Sequence, residues 1–144
     1  MENSGEEIPL LYLLPMLQRI ISLTDSHKKF GLTKSQMIIL IILHYKANMM
    51  MGEIAQYISS SKEQATRAVA VLCDNGLVER YELPSNRTRV YIRFTEKGRE
   101  YRQVICQQLR AELYAKLKTS LSEEDLQKLK QSVQTTVEVL SKVK

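Results

Sequence analysis

The sequence predicts a mainly α-helical protein with one small β-hairpin, folded as a single intertwined domain. The chain has 144 residues, which suits one domain with a hydrophobic core. Apolar residues recur at helical spacing through most of the chain, and strict alternation is confined to residues 77–94. With five glycines and three prolines, long flexible linkers are not expected.

The first predicted helix covers residues 8–29 and has a wide apolar face. Pro9 suits a first helical turn, whereas Pro15 should kink the helix or reset its start. A face this wide indicates burial against more than the local core. Its apolar residues are Ile8, Leu10, Leu11, Leu13, Leu14, Leu17, Ile20 and Ile21.

The second helix begins with a recognisable signal. Thr33 is followed three residues later by Gln36, which forms a capping box, and residues 37–45 are apolar nearly all round. This pattern predicts the central helix of a small domain. Residues 48–51 are expected to hold a turn or a brief strand, and residues 52–58 a short helix.

A further capped helix follows in the stretch "SKEQATRAVAVLCDNG". Ser61 is the predicted N-cap, with Gln64 as its capping-box partner. Asn75-Gly76 is a strong stop signal, because glycine suits the left-handed C-terminal cap. One face is apolar; its residues are Ala65, Ala68, Val69 and Leu72.

A β-hairpin and two long helices complete the predicted fold. Residues 77–82 and 89–94 alternate, and the turn-forming sequence "LPSNRT" lies between them. Thr95 is expected to cap the first long helix. Ser122 should begin the last one, whose first turn carries three acidic residues.

The order of these elements is that of a winged helix-turn-helix: a short helix, a turn, a second helix and a hairpin. In such modules the second helix enters the DNA major groove with its N-terminal residues. Lys62 and Arg67 can contact phosphate or guanine, and Gln64 can pair with adenine. Ser60, Ser61 and Thr66 supply further polar groups there, the hydroxyls of Ser60 and Thr66 being able to donate to phosphate or base.

Charge supports an anionic partner. The formal net charge is +5 and the pI is about 9.2. Residues 83–102 contain six basic and two acidic residues, a local net charge of +4. Arg87 at the hairpin tip, or Arg89 beside it, can enter a minor groove; the alternative is a solvated basic hairpin.

Other classes of protein find little support. His27 and His44 have no Cys, Asp or Glu at ligand or triad spacing, and there is no glycine-rich phosphate loop. We therefore expect no enzyme, cofactor or metal site. The N-terminus is acidic and its apolar run is interrupted, so neither a signal peptide nor a membrane span is expected. Cys73 and Cys106 form no CxxC motif, which indicates an intracellular, cytoplasmic protein.

The two ends carry long amphipathic helices without a sequence neighbour to cover them. The cheapest burial is against a second copy, which gives a two-fold dimer. The predicted organisation is a dimerisation helix in residues 1–32, a DNA-binding domain in residues 33–98 and dimerisation helices in residues 99–144.

Five segments in this order resemble the MarR family of transcriptional regulators: "LTKSQMIIL", "GEIAQYI", "SKEQATRAVAVLCDNGLVER", "RVYIRFTEKG" and "LSEEDLQKL". The resemblance implies a homodimer that binds palindromic operator DNA, usually as a repressor. It also implies release by a small aromatic or phenolic compound, or by an oxidant. The alternative is a winged helix that serves as a protein-interaction module without specific DNA binding.

The chain departs from the family pattern at two places. Where the family wing carries an acid, any residue and then Arg, this chain has Asn86 and Thr88. The N-terminal helix lacks the reactive cysteine of the oxidant-sensing branch, so Cys73 and Cys106 are either small buried apolar residues or thiol sensors by another route. The candidate effector-pocket residues are Tyr12, Met16, Ile20, His44, Tyr45 and Tyr101. The alternative is that these six side chains are ordinary core and interface residues.

Overall fold

The computed structural model describes residues 10–144 except Leu23 and Asp25. Its elements are α1 (Leu10–Ile21), α2 (Ser26–Lys29), α3 (Lys34–Tyr45), β1 (Asn48–Met50), α4 (Met51–Tyr57), α5 (Lys62–Asp74), β2 (Val78–Leu83), β3 (Asn86–Phe94), α6 (Glu96–Lys118) and α7 (Glu123–Leu140). The predicted fold class, mainly helical with a small β-hairpin, is confirmed.

The chain forms two compact units. One holds residues 25–109, and the other holds the described part of residues 1–24 together with residues 110–144. The first unit therefore contains the predicted helix-turn-helix and hairpin. The second contains α1, the end of α6 and all of α7.

The core of the first unit is organised around α3. Ile39 and Leu43 are fully buried, and Leu40 is nearly so. The Thr33 side chain accepts a hydrogen bond from Gln36 N–H at 3.2 Å, and the Gln36 side chain accepts one from Thr33 N–H at 3.0 Å. The predicted capping box and the predicted central helix are both confirmed.

A third strand joins the predicted hairpin. The sheet is antiparallel with the order β1-β3-β2, and Met49 on β1 is paired with Ile92 on β3. Both side chains are buried. Of the two structures expected for residues 48–51, a brief strand is therefore the one that forms.

The first predicted helix is shorter than expected. α1 continues through Pro15 without a new start but ends at Ile21, and residues 26–29 form the separate helix α2. The Ser22 hydroxyl donates to the Arg19 carbonyl at 2.6 Å, and the Thr24 hydroxyl donates to the Ile21 carbonyl at 2.8 Å. These bonds satisfy carbonyls that a continuing helix would have used. Ile8 and Pro9 lie outside the described residues.

The start of α6 is locked to the end of α5. The Thr95 hydroxyl accepts a hydrogen bond from Gly98 N–H at 3.0 Å, which confirms the predicted cap, and donates to the Gly76 carbonyl at 2.5 Å. Thr95 N–H also donates to the Leu77 carbonyl at 3.1 Å. A Cβ atom on Gly98 would lie 1.8 Å from the Leu77 oxygen, so only glycine fits there.

Replacement of this glycine should be strongly destabilising. Gly98→Ala forces backbone against backbone, and we expect it to lower the free energy of unfolding by about 3 kcal/mol or more. The matched control is Gly52→Ala in α4, where a Cβ meets nothing within 4 Å; this change should raise stability by about 0.5 kcal/mol. Urea unfolding monitored by circular dichroism measures both, and equal effects of the two changes would contradict the close approach.

Candidate nucleic-acid interface

The turn between α4 and α5 has a defined, strained geometry. Ser60 N–H donates to the Ala55 carbonyl at 3.0 Å and Ser59 N–H to the Gln56 carbonyl at 3.2 Å, the paired bonds of a Schellman motif. Ser59 occupies the left-handed position with a φ of 51°, where glycine is usual. This compact turn sets the angle at which α5 leaves α4.

α5 begins where the sequence predicted. The Ser61 hydroxyl accepts a hydrogen bond from Gln64 N–H at 3.2 Å, which confirms the N-cap. The reciprocal bond, from Ser61 N–H to the Gln64 side chain, does not form among the residues described. The exposed Gln64 amide therefore retains its donors and its acceptor for another partner.

The two faces of α5 differ sharply. Ala65, Val69 and Leu72 have zero exposure, because they pack into the core of the first unit. The other side of the helix is solvent-exposed. Its exposed polar residues in the first two turns are Lys62, Glu63, Gln64, Thr66 and Arg67. A buried seam thus holds a polar surface outward at the N-terminal end of the helix.

Two hydroxyls in this region already donate to backbone. Ser60 Oγ donates to the Ser61 carbonyl at 3.2 Å, and Thr66 Oγ1 donates to the Lys62 carbonyl at 2.8 Å. Phosphate oxygens accept hydrogen bonds but do not donate them. Neither hydroxyl can therefore serve a phosphate while these bonds are kept, which narrows the role that the sequence indicated for them.

A groove of about 690 Å³ lies between α4, the start of α5 and the hairpin. Lys62 and Thr66 line it from the helix, and Arg80 and Arg89 line it from the strands. Arg80 was not among the residues selected from the sequence. Its place opposite Ile92 in the register puts it on the helix-facing side of β2, a position that strand alternation from the buried Val78 could have indicated.

The hairpin tip is held by a neutral contact. Asn86 Oδ1 accepts hydrogen bonds from Thr88 N–H at 3.2 Å and from the Thr88 hydroxyl at 2.6 Å. Asn86 and Thr88 occupy the positions where the family wing carries its acid and its Arg. The two positions remain linked in this chain, by an amide and a hydroxyl instead of by two charges.

Several cations of the basic segment have local partners. Arg93 donates to Glu79 Oε1 at 2.8 Å and lies 4.1 Å from the centre of the Tyr81 ring. Lys97 donates to the Asn75 carbonyl at 2.9 Å, and Arg99 to the Phe94 carbonyl at 3.4 Å. The local net charge of +4 therefore overstates the positive charge that the hairpin presents to a ligand.

The two remaining arginines of the hairpin differ from each other. Arg89 Nη1 lies 3.9 Å from Met50 Sδ, so this side chain is turned back toward β1 and the groove. Arg87 is exposed near the tip and makes no hydrogen bond or ion pair within the described part of the chain. Arg87 is thus the hairpin arginine that stays exposed without a partner among the described residues.

The six candidate pocket residues are spread over both units. Tyr12, Met16 and Ile20 lie on α1, where the first two are exposed. His44 and Tyr45 end α3 and are exposed, with their rings edge to face at 4.8 Å. Tyr101 is half-buried, and its ring packs edge to face with the ring of Phe30, with 5.8 Å between the two ring centres. For Tyr101, packing against Phe30 accounts for the side chain without a ligand.

Cys73 lies near the end of α5 and is half-buried. Burial raises the pKa of its thiol above the ordinary value; the charge of Arg80 acts in the opposite direction, and Asp74 adds to the rise. At neutral pH the side chain is therefore a protonated thiol, which is a poor nucleophile.

The residues that the structure describes hold neither a cluster suited to a metal ion nor a membrane-spanning helix. No cluster of three or more His, Cys, Asp or Glu side chains there could hold a metal ion. No helix in that part of the chain is long and apolar enough to cross a membrane.

The fold and the exposed polar end of α5 define a class of protein: a winged helix-turn-helix transcriptional regulator. Residues 32–90 match the family model described as "MarR family". The resemblance inferred from the sequence is confirmed. No curated protein matches the sequence significantly.

Solved structures extend the likeness to the whole chain. The transcriptional regulator PA4135 is 25% identical, with 96% of this chain and 99% of that chain covered and a TM-score of 0.73. Wild-type MarR from E. coli in its apo form is 24% identical, with 92% and 98% covered and a TM-score of 0.73. NadR in complex with 4-hydroxyphenylacetate is 18% identical, with 100% and 99% covered and a TM-score of 0.72. Because MarR and NadR are less than 25% identical to this chain, these two matches support the fold only.

The Cys73 thiol should alkylate slowly in the folded protein. In a Cys106→Ser variant, the pH midpoint of iodoacetamide labelling should lie above the value found for the same chain unfolded in urea. Arg80→Gln should raise the midpoint further, because a positive charge is removed, and Asp74→Asn should lower it. A folded-state midpoint at or below that of the unfolded chain would contradict the assignment.

Proposed function

We propose that this protein is a homodimeric, sequence-specific DNA-binding repressor that leaves a palindromic operator when a small effector binds. The observation that carries the proposal is the orientation of α5. Its apolar seam is fully buried, so Lys62, Gln64 and Arg67 stand exposed on the first two turns, where a recognition helix meets base edges.

Each of these side chains suits one kind of contact in a major groove. Gln64 has an amide with both donor and acceptor, which matches the N6 and N7 positions of adenine. Arg67 can pair with guanine through its two-pronged guanidinium, and Lys62 can neutralise a phosphate. Ser60 and Ser61 lie at the start of the helix, where a backbone phosphate would pass in this docking mode. The Ser61 hydroxyl can donate to that phosphate, whereas the Ser60 hydroxyl would first have to give up its bond to the Ser61 carbonyl.

We assign the minor-groove contact to Arg87. Its exposure at the tip and its lack of a partner within the described residues support this choice over Arg89, which is turned toward Met50. Arg89 and Arg80 instead add positive potential along the groove beside α5. Together these cations favour DNA over the alternative of a protein-interaction module.

A second copy of the chain is the partner that the other unit requires. No residue of α1 or α7 is buried in the single chain. On α7 the exposed apolar residues follow helical spacing and form a stripe; they include Leu129, Val133, Val137 and Leu140. We propose that this stripe and the exposed apolar residues of α1 pack against a two-fold mate, with residues 1–32 and 99–144 as dimerisation segments and residues 33–98 as the DNA-binding segment.

The effector is proposed by chemical class only. The solved structure of NadR contains 4-hydroxyphenylacetate, a small phenolic acid, which supports an aromatic or phenolic effector for this chain. Candidate liners are Tyr12, Met16, Ile20, His44, Tyr45 and Tyr101. The proposed role is regulatory and not enzymatic, and the proposed location is the cytoplasm.

DNA binding should depend on α5 and, less strongly, on the wing. With the upstream region of its own gene as the target, Arg67→Ala should weaken binding about 10- to 100-fold, and Arg87→Ala several-fold. Loss of Arg87 should also lower the slope of log K against log salt by about one. Electrophoretic mobility shifts over a salt series measure both quantities.

The control for these changes is Lys128→Ala, which removes the same charge at an exposed position of α7, on the side of that helix opposite its apolar stripe. It should leave the affinity within about twofold of the parent, as expected for a surface change outside the contact. If Arg67→Ala and Arg87→Ala behave like this control, the assigned DNA face is wrong. Equal affinity for the upstream region and for random DNA would refute the operator itself.

Association should depend on the stripe of α7. Val137→Lys places a charge among exposed apolar residues and should shift the protein from dimer to monomer in sedimentation velocity, because an unpaired charge cannot be buried cheaply. Gln131→Lys, on the opposite face of α7, is the matched control and should remain dimeric. A parent protein that sediments as a monomer at micromolar concentration would contradict the dimer.

A further inference from the structure

We infer that Thr66 reads thymine through its methyl group, so that it sets specificity at one position of the operator by an apolar contact. The inference rests on the proposed DNA binding and deepens it by naming a base and the side-chain atom that recognises it. It also changes the role that the residue type alone suggests, which is hydrogen bonding by the hydroxyl.

The first step concerns the hydroxyl. Thr66 Oγ1 donates to the Lys62 carbonyl, four residues earlier on the same helix, at 2.8 Å. The single proton of the hydroxyl is therefore committed to α5 itself. Acceptors on DNA, such as phosphate oxygens, guanine N7 and O6 or thymine O4, would need that proton and cannot obtain it without breaking the bond.

The second step concerns the group that remains. Threonine is stiff about χ1, and with Oγ1 held against its own helix the side chain has one other heavy atom to present, the Cγ2 methyl. Thr66 is exposed and lies one turn inside α5, beside Arg67. The side chain also borders the groove that Val90 and Met50 line, so its surroundings are partly apolar.

The third step is the match with DNA. In the major groove thymine is distinguished from the other bases by its C5-methyl group, and methyl-bearing side chains such as Thr contact it. Lys62 lies one turn before Thr66 and Arg67 lies beside it, so phosphate and base contacts on either side would fix the helix in register. Thr66, between these two residues, is therefore placed to contact the methyl group of a thymine.

The competing reading is that the hydroxyl accepts a hydrogen bond from adenine N6 or cytosine N4, since its lone pairs remain available. Two nearly isosteric variants separate the readings. Thr66→Val keeps a methyl at the Cγ2 position and removes the hydroxyl, whereas Thr66→Ser keeps the hydroxyl and removes the methyl.

The operator is first located by footprinting the parent protein on the upstream region of its gene. Affinities of the parent and both variants are then measured on that duplex. Thr66→Val should bind within about twofold of the parent, and Thr66→Ser should bind about three- to fivefold more weakly, the loss expected for one buried methyl contact. Thermal unfolding midpoints within a few degrees of the parent show that both variants fold.

The base is identified by replacing each thymine of a half-site in turn with deoxyuridine, which lacks only the C5-methyl group. At one position the parent and Thr66→Val should lose about three- to fivefold in affinity. At that same position, Thr66→Ser should bind the deoxyuridine duplex as well as it binds the thymine duplex. Its methyl group is already absent, so the two changes remove one and the same contact.

Three results would overturn the inference. They are loss of affinity by Thr66→Val with retention by Thr66→Ser, parent-like binding by both variants, and deoxyuridine effects that are the same in the parent and in Thr66→Ser. In each of these cases the parent still prefers its operator, so the proposed function stands. If the parent shows no preference for any sequence, the proposed function and this inference fail together.

Discussion

The contact between Gly98 and the Leu77 carbonyl is the constraint on which the first compact unit, residues 25–109, depends. A side chain at residue 98 would collide with backbone, so the first turn of α6 can settle directly on the chain that leaves α5. Thr95 and Lys97 secure the same junction through the carbonyls of Gly76 and Asn75. The end of α5, the base of the hairpin and the start of α6 therefore share one anchored point, and the wing cannot shift relative to α5 without disturbing all three.

From this anchored point the electrostatics of the unit can be understood. Cations near the junction are used to hold the fold: Lys97 bonds a helix-terminal carbonyl, and Arg93 is shared between Glu79 and the Tyr81 ring. Farther out, Arg87 near the tip has no partner among the described residues, and Arg89 lies along the groove beside Met50. The cations at the base of the segment are thus bonded within the fold, whereas those toward its end stay exposed.

The parts of this fold that could be predicted from the sequence are those set by local chemistry. The capping box of Thr33 and Gln36 is an example, because all its atoms belong to one turn of helix. What could not be predicted depends on residues distant in sequence. The strand at Met49 exists because Ile92 pairs with it across 43 positions. At the candidate site, residue types on α5 were accessible from the sequence, whereas the contact that turns Arg89 toward Met50, 39 positions away, was not.

The bond between Asn86 and Thr88 has a consequence for how the wing behaves in different solutions. An acid and an arginine at these positions would attract each other less as salt is added, and would separate once the acid is protonated. An amide and a hydroxyl carry no charge to be screened and no proton to be gained in the physiological range. The shape of the wing tip should therefore be insensitive to ionic strength and to acidification, so that changes in DNA affinity under those conditions report on the contacts with DNA and not on the wing itself.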